Sequence, residues 1–554
     1  TLLIGAGLGN TGLAVIGLAG FALAFLFAAR AGAWRFGLLA LVLSAVGITT
    51  YLFLYIRAGQ NPILNEADPS TFQSLLSVIR REQYGVRTPF DDPTEFHGPE
   101  NPGRNITLIG LQLLTYLQYF DWQWAKGVML TVGAFPIRTL VTLLFLSLGI
   151  RGYLAQRESD RGSSWLLLVL FLTTGLGLVA YMNFEPGFSV GYEQYPDPKD
   201  HEVRERDYFF IASFLVWGLW AGMGLATLAR RLMLTLRPRG WPAGIVFALA
   251  ILPFCFNFKA ATRKHGPDAR LAGDFAYNLL NSVPPYGVLF TYGDNDTFPL
   301  WWAQEVEGIR RDVTVICLAL AETDWYMRQL RENPTRSFEP TRAPAIWQRY
   351  PAGPRPAWAL HSMTDEDIQS AVPQYTPRDI PLRFGTHEVV LPQNTVLYGK
   401  DFLSIRVLQE NFGRRPLAWA LSATGGFYQL NHLLVQQGLA IRVMPEPADT
   451  TDPRYDHRKM LGAVLDLPVT DSLLFGTFRY ADLLERGAEG LETTANSTAG
   501  TLSVVFTQMA YAAEARGDTA GAVRYLEPAS RLSSNPALKQ ALAEFRAGLP
   551  ANRP

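Results

Sequence analysis

The sequence lacks the features that mark several common classes of protein. Its 49 basic and 49 acidic residues give a net charge of zero, so no basic excess points to a nucleic acid partner. Only two cysteines are present, Cys255 in an apolar run and Cys317 in a strand of buried type, which argues against a disulfide framework. The seven histidines show no zinc-type spacing, and neither a glycine-rich phosphate loop nor a Gly-x-Ser-x-Gly elbow occurs.

Charge is also scarce in the first half of the chain, which is filled by long apolar runs, whereas the rest has the composition of a soluble protein. The chain begins at Thr1 and enters an apolar segment at once, without a basic leader or a cleavage site. The pattern therefore predicts no signal peptide, and we expect the chain to be truncated or processed at its N-terminus.

Six of the apolar runs are long enough for membrane-spanning helices, which need roughly 20 apolar residues each. Short connections rich in arginine follow the first, third and fifth runs, and such loops mark the cytoplasmic side. On this topology the chain starts outside, and the tail after Phe258 also lies outside. The predicted spans are Leu8–Ala29, Phe36–Ile56, Pro136–Leu154, Trp165–Met182, Tyr208–Leu228 and Trp241–Phe258.

This topology leaves two outer loops, residues 57–135 and residues 183–207. The first loop holds a predicted amphipathic helix at Thr71–Arg81 and the stretch "ITLIGLQLLTYLQYFDWQW". That stretch lies either in the membrane interface, with its aromatic residues at headgroup depth, or in the core of the loop domain. The aromatic residues concerned are Tyr116, Tyr119, Phe120 and Trp122.

The second outer loop ends in "HEVRERDYFF", directly before the fifth span. Arg204 and Arg206 therefore lie on the outer side, against the positive-inside trend. The guanidinium group suits bidentate binding of phosphate, so both arginines are candidate ligands of a lipid phosphate. The alternative is a local salt-bridged turn in which Glu205 and Asp207 neutralise the two arginines.

Strand and helix patterns alternate after the last span. "GVLFTYG" and "VTVICLAL" are continuous apolar runs of the kind that parallel sheets bury on both faces. Phe298, Trp302, Val306 and Ile309 recur between them on one face of a helix, and further helices are predicted for "TDWYMRQLREN" and "YQLNHLLVQQG". "LAWALSA" and "AIRVMP" are predicted strands. This rhythm predicts a polytopic α-helical membrane domain over 1–259 and an extracytoplasmic α/β domain of Rossmann-like type over 260–446.

The remaining segment, residues 447–554, is helical in pattern. The stretch from Ser503 to Pro536 has the length of one tetratricopeptide repeat, about 34 residues, with Arg516–Asp518 as its turn. One repeat alone cannot bury its faces, so we expect packing on neighbouring helices such as Leu473–Arg486. The repeat serves either this packing or a groove for a protein partner. Its small and apolar positions are Ala510, Ala522, Leu526 and Ala529.

The strand "GVLFTYG" ends in "GDNDTF", which places Asp294 and Asp296 at the carboxyl edge of the predicted sheet. An Asp-x-Asp pair can hold a divalent cation through its carboxylate oxygens, so both residues are weak candidates for a ligand or metal site. The alternative is a helix cap by Asp296 or Thr297, with Pro299 in the first turn. Cytosolic sugar nucleotides do not reach the outer face, which counts against a nucleotide-sugar transferase.

The first outer loop contributes two more carboxylates, in "NEADPSTFQSLL". Glu66 and Asp68 lie close to the predicted membrane surface, where either could act as a base toward a substrate hydroxyl. They are weak candidates for catalysis. The alternative is capping, with Asp68 or Ser70 at the start of the helix at Thr71–Arg81.

Several phrases resemble one bacterial membrane family, known as domain of unknown function 2723, which is related to protein O-mannosyltransferases. The resemblance rests on "NEADPSTFQSLLSVIRREQYG", "RERDYFF", "YGDNDTFPLWWAQEVEGIRRDV" and "ETDWYMRQL". It implies a polytopic transferase that uses a lipid-phosphate sugar on the extracytoplasmic face. The catalytic carboxylate of that class belongs to an outer loop near the native N-terminus, so we expect it upstream of this chain. Arg204 and Arg206 remain the candidate donor-phosphate ligands.

Two functions follow as hypotheses. The first is a glycosyltransferase of the bacterial inner membrane, with its C-terminal part on the periplasmic side. Its partners would be membrane lipids, a polyprenyl-phosphate sugar as donor and an exported protein or glycan as acceptor, and a divalent cation stays open as a cofactor. The second is a non-catalytic binding or assembly protein whose α/β and helical parts form a periplasmic platform. Transport is disfavoured because the spans lack ionisable residues near mid-membrane.

Overall fold

The fold is described from a computed structural model of the chain. The structure describes residues 34–80, 89–95, 100–128, 131–132, 135–235, 241–261, 270–423, 425–488 and 493–548, with isolated positions elsewhere. It divides into two compact units, residues 1–83 with 265–554 and residues 84–264. We call them the α/β unit and the helical unit. The predicted boundaries at 259 and 446 stay a prediction.

The α/β unit begins with two helices, α1 (Trp34–Ala58) and α2 (Phe72–Arg80). The second predicted span falls on α1, whose apolar described part, Ala45–Ala58, is shorter than a full span. The first predicted span, Leu8–Ala29, lies outside the continuously described residues. Leu75 is the buried residue of α2, as expected for an amphipathic helix.

The helical unit contains seven helices among its described residues, together with the short strand pair β1 (Thr131–Val132) and β2 (Phe135–Pro136). Its core is aromatic: Trp124 stacks on Phe145, and Phe120 meets Trp217 edge to face. The helices are α3 (Ile106–Ala125), α4 (Ile137–Ser159), α5 (Arg161–Thr174), α6 (Leu176–Met182), α7 (Ile211–Thr235), α8 (Trp241–Ala248) and α9 (Leu252–Ala261).

Three stretches of the helical unit are long and apolar enough to cross a membrane. They are Ile137–Ser159, Arg161–Met182 and Asp207–Thr235, and they coincide with the third, fourth and fifth predicted spans. The sixth predicted span is divided between α8 and α9 by a 3₁₀ turn at Leu249–Ile251. Pro253 follows this turn, and its missing N–H explains why a continuous helix ends there. The apolar part that remains, Val246–Phe258, is a shorter helix.

The predicted helix "ITLIGLQLLTYLQYFDWQW" exists as α3, capped by Asn105, whose side chain accepts a hydrogen bond from the Leu108 amide. Tyr116, Tyr119 and Phe120 are buried in the core of the helical unit. This burial of the three rings is what the core-helix alternative predicts.

A seven-stranded mixed sheet forms the centre of the α/β unit, in the order β12-β13-β10-β11-β9-β3-β4. β9, β3 and β4 are parallel neighbours, β10 is parallel to β13, and β11 is antiparallel to both of its neighbours. Two-stranded pairs β5–β8 and β6–β7 lie outside it. The strands are β3 (Val288–Thr291), β4 (Thr314–Cys317), β5 (Gln374–Tyr375), β6 (Ile380–Phe384), β7 (His387–Leu391), β8 (Val396–Leu397), β9 (Leu417–Ala420), β10 (Leu434–Gln437), β11 (Ala440–Val443), β12 (Tyr455–Asp456) and β13 (Val464–Asp466).

The predicted strands "GVLFTYG", "VTVICLAL", "LAWALSA" and "AIRVMP" are confirmed as β3, β4, β9 and β11. The predicted helix "YQLNHLLVQQG" is wrong, because this segment contains a short 3₁₀ turn followed by β10. Gly438 has φ +58° and Gln437 pairs with Ala440, so Gly438 and Leu439 form a two-residue hairpin turn rather than a helix end.

Helices surround this sheet. α12 confirms the predicted helix at "TDWYMRQLREN". The helix between β3 and β4 is also confirmed, as α11, but it ends before Val306 and Ile309. Phe298 and Trp302 lie exposed on it, as does Val306 at its C-cap, whereas Leu300 and Ala303 face the core. The helices up to the tail are α10 (Leu271–Asn281), α11 (Asp294–Glu305), α12 (Asp324–Glu332), α13 (Ala345–Gln348), α14 (Asp365–Ser370) and α15 (Gly399–Asn411).

The tail is helical from Leu467 onward, as predicted, but the predicted helical segment 447–554 is wrong at its start, where β12 and β13 belong to the central sheet. Its helices are α16 (Leu467–Gly476), α17 (Ala481–Arg486), α18 (Thr493–Ala515), α19 (Thr519–Leu532) and α20 (Pro536–Arg546). The predicted turn at Arg516–Asp518 joins α18 to α19, and Asp518 caps α19 through the Gly521 amide. Ala510, Ala522, Leu526 and Ala529 are all buried. The assignment to a tetratricopeptide repeat stays a prediction.

Candidate functional site

Asp296 is the buried carboxylate of the "GDND" turn. Its oxygens accept hydrogen bonds from the amides of Tyr292 and Gly293, at 3.1 and 2.9 Å. The hydroxyl of Ser422, which follows β9, donates to the same carboxylate at 2.5 Å. This carboxylate therefore ties the end of β3 to the end of β9 and begins α11. Of the two alternatives for Asp296, the structure favours the cap.

Asp294 occupies a different environment two residues earlier. Its side chain is exposed at the first position of α11, where a negative charge is favoured by the helix dipole. Among the residues that the structure describes, no hydrogen-bond or ion-pair partner is found for its carboxylate. The Asp-x-Asp pair is thus divided between a structural residue and a free one.

Glu66 of the predicted first outer loop lies beside Asp294. Its carboxyl is partly surrounded by protein, and this desolvation, together with the charge of Asp294, raises its pKa above the ordinary value. The loop is fixed there by two hydrogen bonds to α12 and the residue after it. Gln329 accepts from the Asn65 amide at 2.9 Å, and the Asn333 amide group donates to the Ile63 carbonyl at 3.0 Å. The fold thus unites two sequence-predicted candidates from distant parts of the chain.

Asp68 is not part of this pair. Its carboxylate accepts a hydrogen bond from the Asn65 side chain at 2.8 Å, and its backbone is left-handed, with φ +38°. The predicted cap by Asp68 or Ser70 is wrong, because α2 begins one residue later than expected. Thr71 is the cap, since its hydroxyl accepts a hydrogen bond from the Ser74 amide at 3.1 Å.

A lysine and two tyrosines complete the polar groups at this edge of the sheet. The Lys400 ammonium lies 5.9 Å from the ring of Tyr292 and 5.1 Å from the ring of Tyr398, and both rings are exposed. We call Glu66, Asp294, Tyr292, Tyr398 and Lys400 the edge cluster. It offers carboxylate acceptors, one cationic donor and two aromatic faces at the carboxyl end of parallel strands, where open α/β sheets place ligands.

A metal site does not emerge at the edge cluster. No group of three His, Cys, Asp or Glu side chains with suitable geometry occurs among the described residues. The two carboxylates of the cluster, Glu66 and Asp294, provide fewer protein oxygens than the six to eight that calcium takes.

Removing the charge of Asp294 lowers the pKa of Glu66, but not to its ordinary value, because desolvation is the larger cause of the shift. A raised pKa in the folded state contributes stability at low pH that is lost as pH rises through the folded pKa. Between acidic and neutral pH, the free energy of unfolding of the Asp294→Asn variant should therefore fall less than that of the unsubstituted protein. Unfolding midpoints of the full chain across that range measure this slope. An unchanged slope contradicts the pairing of the two carboxylates.

In the helical unit, Arg206 is already paired. Its guanidinium donates to the buried carboxylate of Glu202 at 2.6 Å, and its backbone amide donates to the hydroxyl of Tyr119 at 2.8 Å. The salt-bridged turn thus exists, but the predicted partners were wrong. Glu205 instead accepts from the hydroxyls of Tyr119 and Ser189, at 2.8 and 2.7 Å.

Arg204 differs from Arg206 in being exposed. Within the described parts of the chain, its guanidinium has neither an ion pair nor a hydrogen bond. It lies directly before the spanning stretch Asp207–Thr235, so its charge is available at the end of that stretch.

A cavity lies under the loop, between α3, α6 and the start of α7. Its volume is about 20 Å³, which holds about one water molecule and excludes a sugar ring. Its lining includes Arg206, Glu202, Tyr116, Val179 and Phe210. Arg206 is therefore a positioning residue of the loop. The pairing of Glu202 with Arg206 could not be predicted from their spacing, because the segment between them is not helical.

Comparisons with known proteins give one match. The family described as TMEM260-associated domain 2 matches residues 272–370, which run from α10 through α14. Neither the curated proteins nor the solved structures gave a match. The matched segment contains Asp294, Asp296 and the helix α12 that holds the Asn65 loop. The chain thus combines helices able to span a membrane with a segment similar to the family described as TMEM260-associated domain 2.

Proposed function

We propose that the chain belongs to a membrane glycosyltransferase that uses a polyprenyl-phosphate sugar to modify an exported protein or glycan. The observation that carries the proposal is the unpaired guanidinium of Arg204 at the end of a stretch able to cross a membrane. A lipid-phosphate donor presents its phosphate at this depth, and arginine binds phosphate bidentately. The TMEM260-associated domain and the resemblance to protein O-mannosyltransferases support the same class.

The proposal includes an orientation. The loop 183–207 and the part of the α/β unit that holds the sheet lie on the periplasmic side of a bacterial inner membrane, because the arginine-rich connections lie on the other side. The α/β unit is of Rossmann-like type with a tetratricopeptide-like tail. Arg204 binds the donor phosphate, and Arg206 holds the loop through Glu202.

Replacing Arg204 with alanine should raise the apparent KM for the donor about tenfold or more, because one charge-assisted contact to phosphate contributes roughly 1.5–3 kcal/mol. Donor-dependent labelling of an acceptor by the full-length protein measures this, with Lys199→Ala as the control, since Lys199 is an exposed cation on the same loop. Arg206→Ala should lower labelling together with folded yield, because it leaves Glu202 buried without its cation. An unchanged donor KM in Arg204→Ala removes this assignment.

The second candidate is a non-catalytic platform for a protein partner. The three helices α18, α19 and α20 favour it, because such stacked helices present an extended surface. A stable partner that co-purifies with the full chain only when residues after Ser503 are present, without donor binding, would support the platform over the transferase.

A further inference from the structure

One face of α11 presents an apolar row to the surface of the α/β unit. Phe298, Trp302 and Val306 follow at intervals of four residues, and their side chains are 37, 45 and 66% exposed. Residues four apart lie next to each other on a helix, so the row is continuous. A contiguous row of this kind is more informative than single exposed apolar residues, which occur on any protein surface.

The row is held rigidly. The Phe298 ring stacks on Trp301 at 5.2 Å, and the Trp302 ring lies 3.3 Å from the position that a side chain on Gly273 of α10 would take. The opposite face of α11 is occupied by Leu300 and Ala303, which are fully buried against the sheet. The helix therefore cannot rotate to bury the row without exposing its core face.

The start of α11 is tied to the end of α1. Helix α1 ends at Ala58, and Asn61 closes a turn on that residue with a backbone hydrogen bond of 2.9 Å. Glu66, next to Asp294, is eight residues beyond Ala58, so the two helix ends lie within roughly 28 Å along the chain. The hydrogen bond from Asn65 to Gln329 fixes this short connection on the unit.

Helix α1 has the character of a membrane helix. Apart from Ala58 at its end, its described apolar side chains are exposed, and its charged residues, Arg35 and Arg57, lie near its two ends. A helix that is apolar around its whole circumference and is not packed against protein is stable in lipid. The short connection then holds the first turns of α11 close to the bilayer surface on the side of Ala58.

We propose that Phe298 and Trp302 of α11, together with Val306 at its C-cap, rest on the lipid interface next to the end of α1. Aromatic side chains are favoured at the depth of the headgroups, where an apolar ring is buried and a polar edge stays hydrated. The lipid surface is the partner that we assign to this row, because α1 lies in lipid and the short connection from its end runs to the start of α11. The contact orients the edge cluster at a fixed height above the membrane, and it does not depend on the transfer reaction.

Fluorescence quenching tests the contact in the full chain. An environment-sensitive label is placed at Val306→Cys in a Cys255→Ser background, where the native cysteine that remains, Cys317, is buried. The protein is reconstituted in nanodiscs of phosphatidylethanolamine and phosphatidylglycerol, with or without lipids that carry a nitroxide near the headgroup. The matched site is Val504→Cys on α18, which is 42% exposed. The position of α18 is given by Gln508, which forms a hydrogen bond with Gln436 of β10. In the sheet, β10 is three strands away from β3, a distance of about 14 Å.

The label at Val306 should lose about half of its emission to nitroxide lipids, and the label at Val504 should lose little. Trp302→Gln should reduce the quenching at Val306, whereas Trp358→Gln, a change at a similarly exposed tryptophan, should not. Equal quenching at Val306 and Val504 overturns the proposal. So does quenching at Val306 that appears only when two copies share a disc, which would assign the row to a second copy of the chain.

Discussion

Replacing Arg310 with methionine lowers the free energy of unfolding of the α/β unit by about 3–5 kcal/mol, because a buried carboxylate is left without its cation. The side chains of Arg310 and Asp312 are 3 and 2% exposed. They form two parallel hydrogen bonds of 2.9 Å, and a third donor of Arg310 reaches the Val283 carbonyl at 2.9 Å. Asp312 also accepts from the Tyr286 amide at 3.0 Å. Hydrogen exchange of the β3 and β4 amides in the full chain measures the loss.

The neighbouring arginine supplies the control. Arg311 donates to the carbonyls of Gln304 and Glu305, at 2.7 and 3.2 Å, and has no carboxylate partner in the described structure. The Arg311→Met variant should therefore lose only about 1–2 kcal/mol. Equal losses in Arg310→Met and Arg311→Met would show that the buried pair does not hold residues 310–312 to the segment 283–286 before β3.

Replacing Asp296 with alanine should cost about 2–4 kcal/mol, from a lost helix cap and from donors left without an acceptor. The affected donors are the amides of Tyr292 and Gly293 and the hydroxyl of Ser422. The same substitution at the exposed Asp294 should cost less than about 1 kcal/mol, the usual size of a helix-dipole contribution. Both variants are compared by exchange of the β3 and β9 amides. Similar losses at the two positions would contradict the division of the Asp-x-Asp pair.

The strands next to this turn were predictable for a physical reason. β3, β4 and β9 are buried on both faces, so their sequences are continuous apolar runs that a parallel sheet requires. The same property misled the interpretation of "YQLNHLLVQQG", whose Leu434 and Val435 fit a buried helix as well as a strand. Gly438 was the deciding residue, and its role as a hairpin turn depends on the pairing of β10 with β11.

The candidate site could be predicted from the sequence only in part, for a different reason. Asp296 and its cap are local in sequence and were open to prediction, since the acceptor and both amides lie within four residues. The proximity of Glu66 and Asp294 could not be predicted from one sequence, because no periodic pattern links residues so far apart. The exposure of one face of α11 could not be predicted either, because a helix that contacts lipid and a helix that contacts a protein core show the same apolar spacing.

The Asn65 loop has a consequence for the order of folding. Its partner Gln329 lies 264 residues later in the chain, so at ordinary rates of synthesis it appears roughly 13–53 s after the loop has left the ribosome. Closing a loop of that length costs about 5 kcal/mol of chain entropy, which two hydrogen bonds do not repay. The sheet of the α/β unit must therefore form first, and the loop that contains Asn65 binds to it afterwards. We therefore expect the segment between α1 and α2 to be secured later than the sheet during biogenesis, and to open to proteases before the sheet does when the chain is stressed.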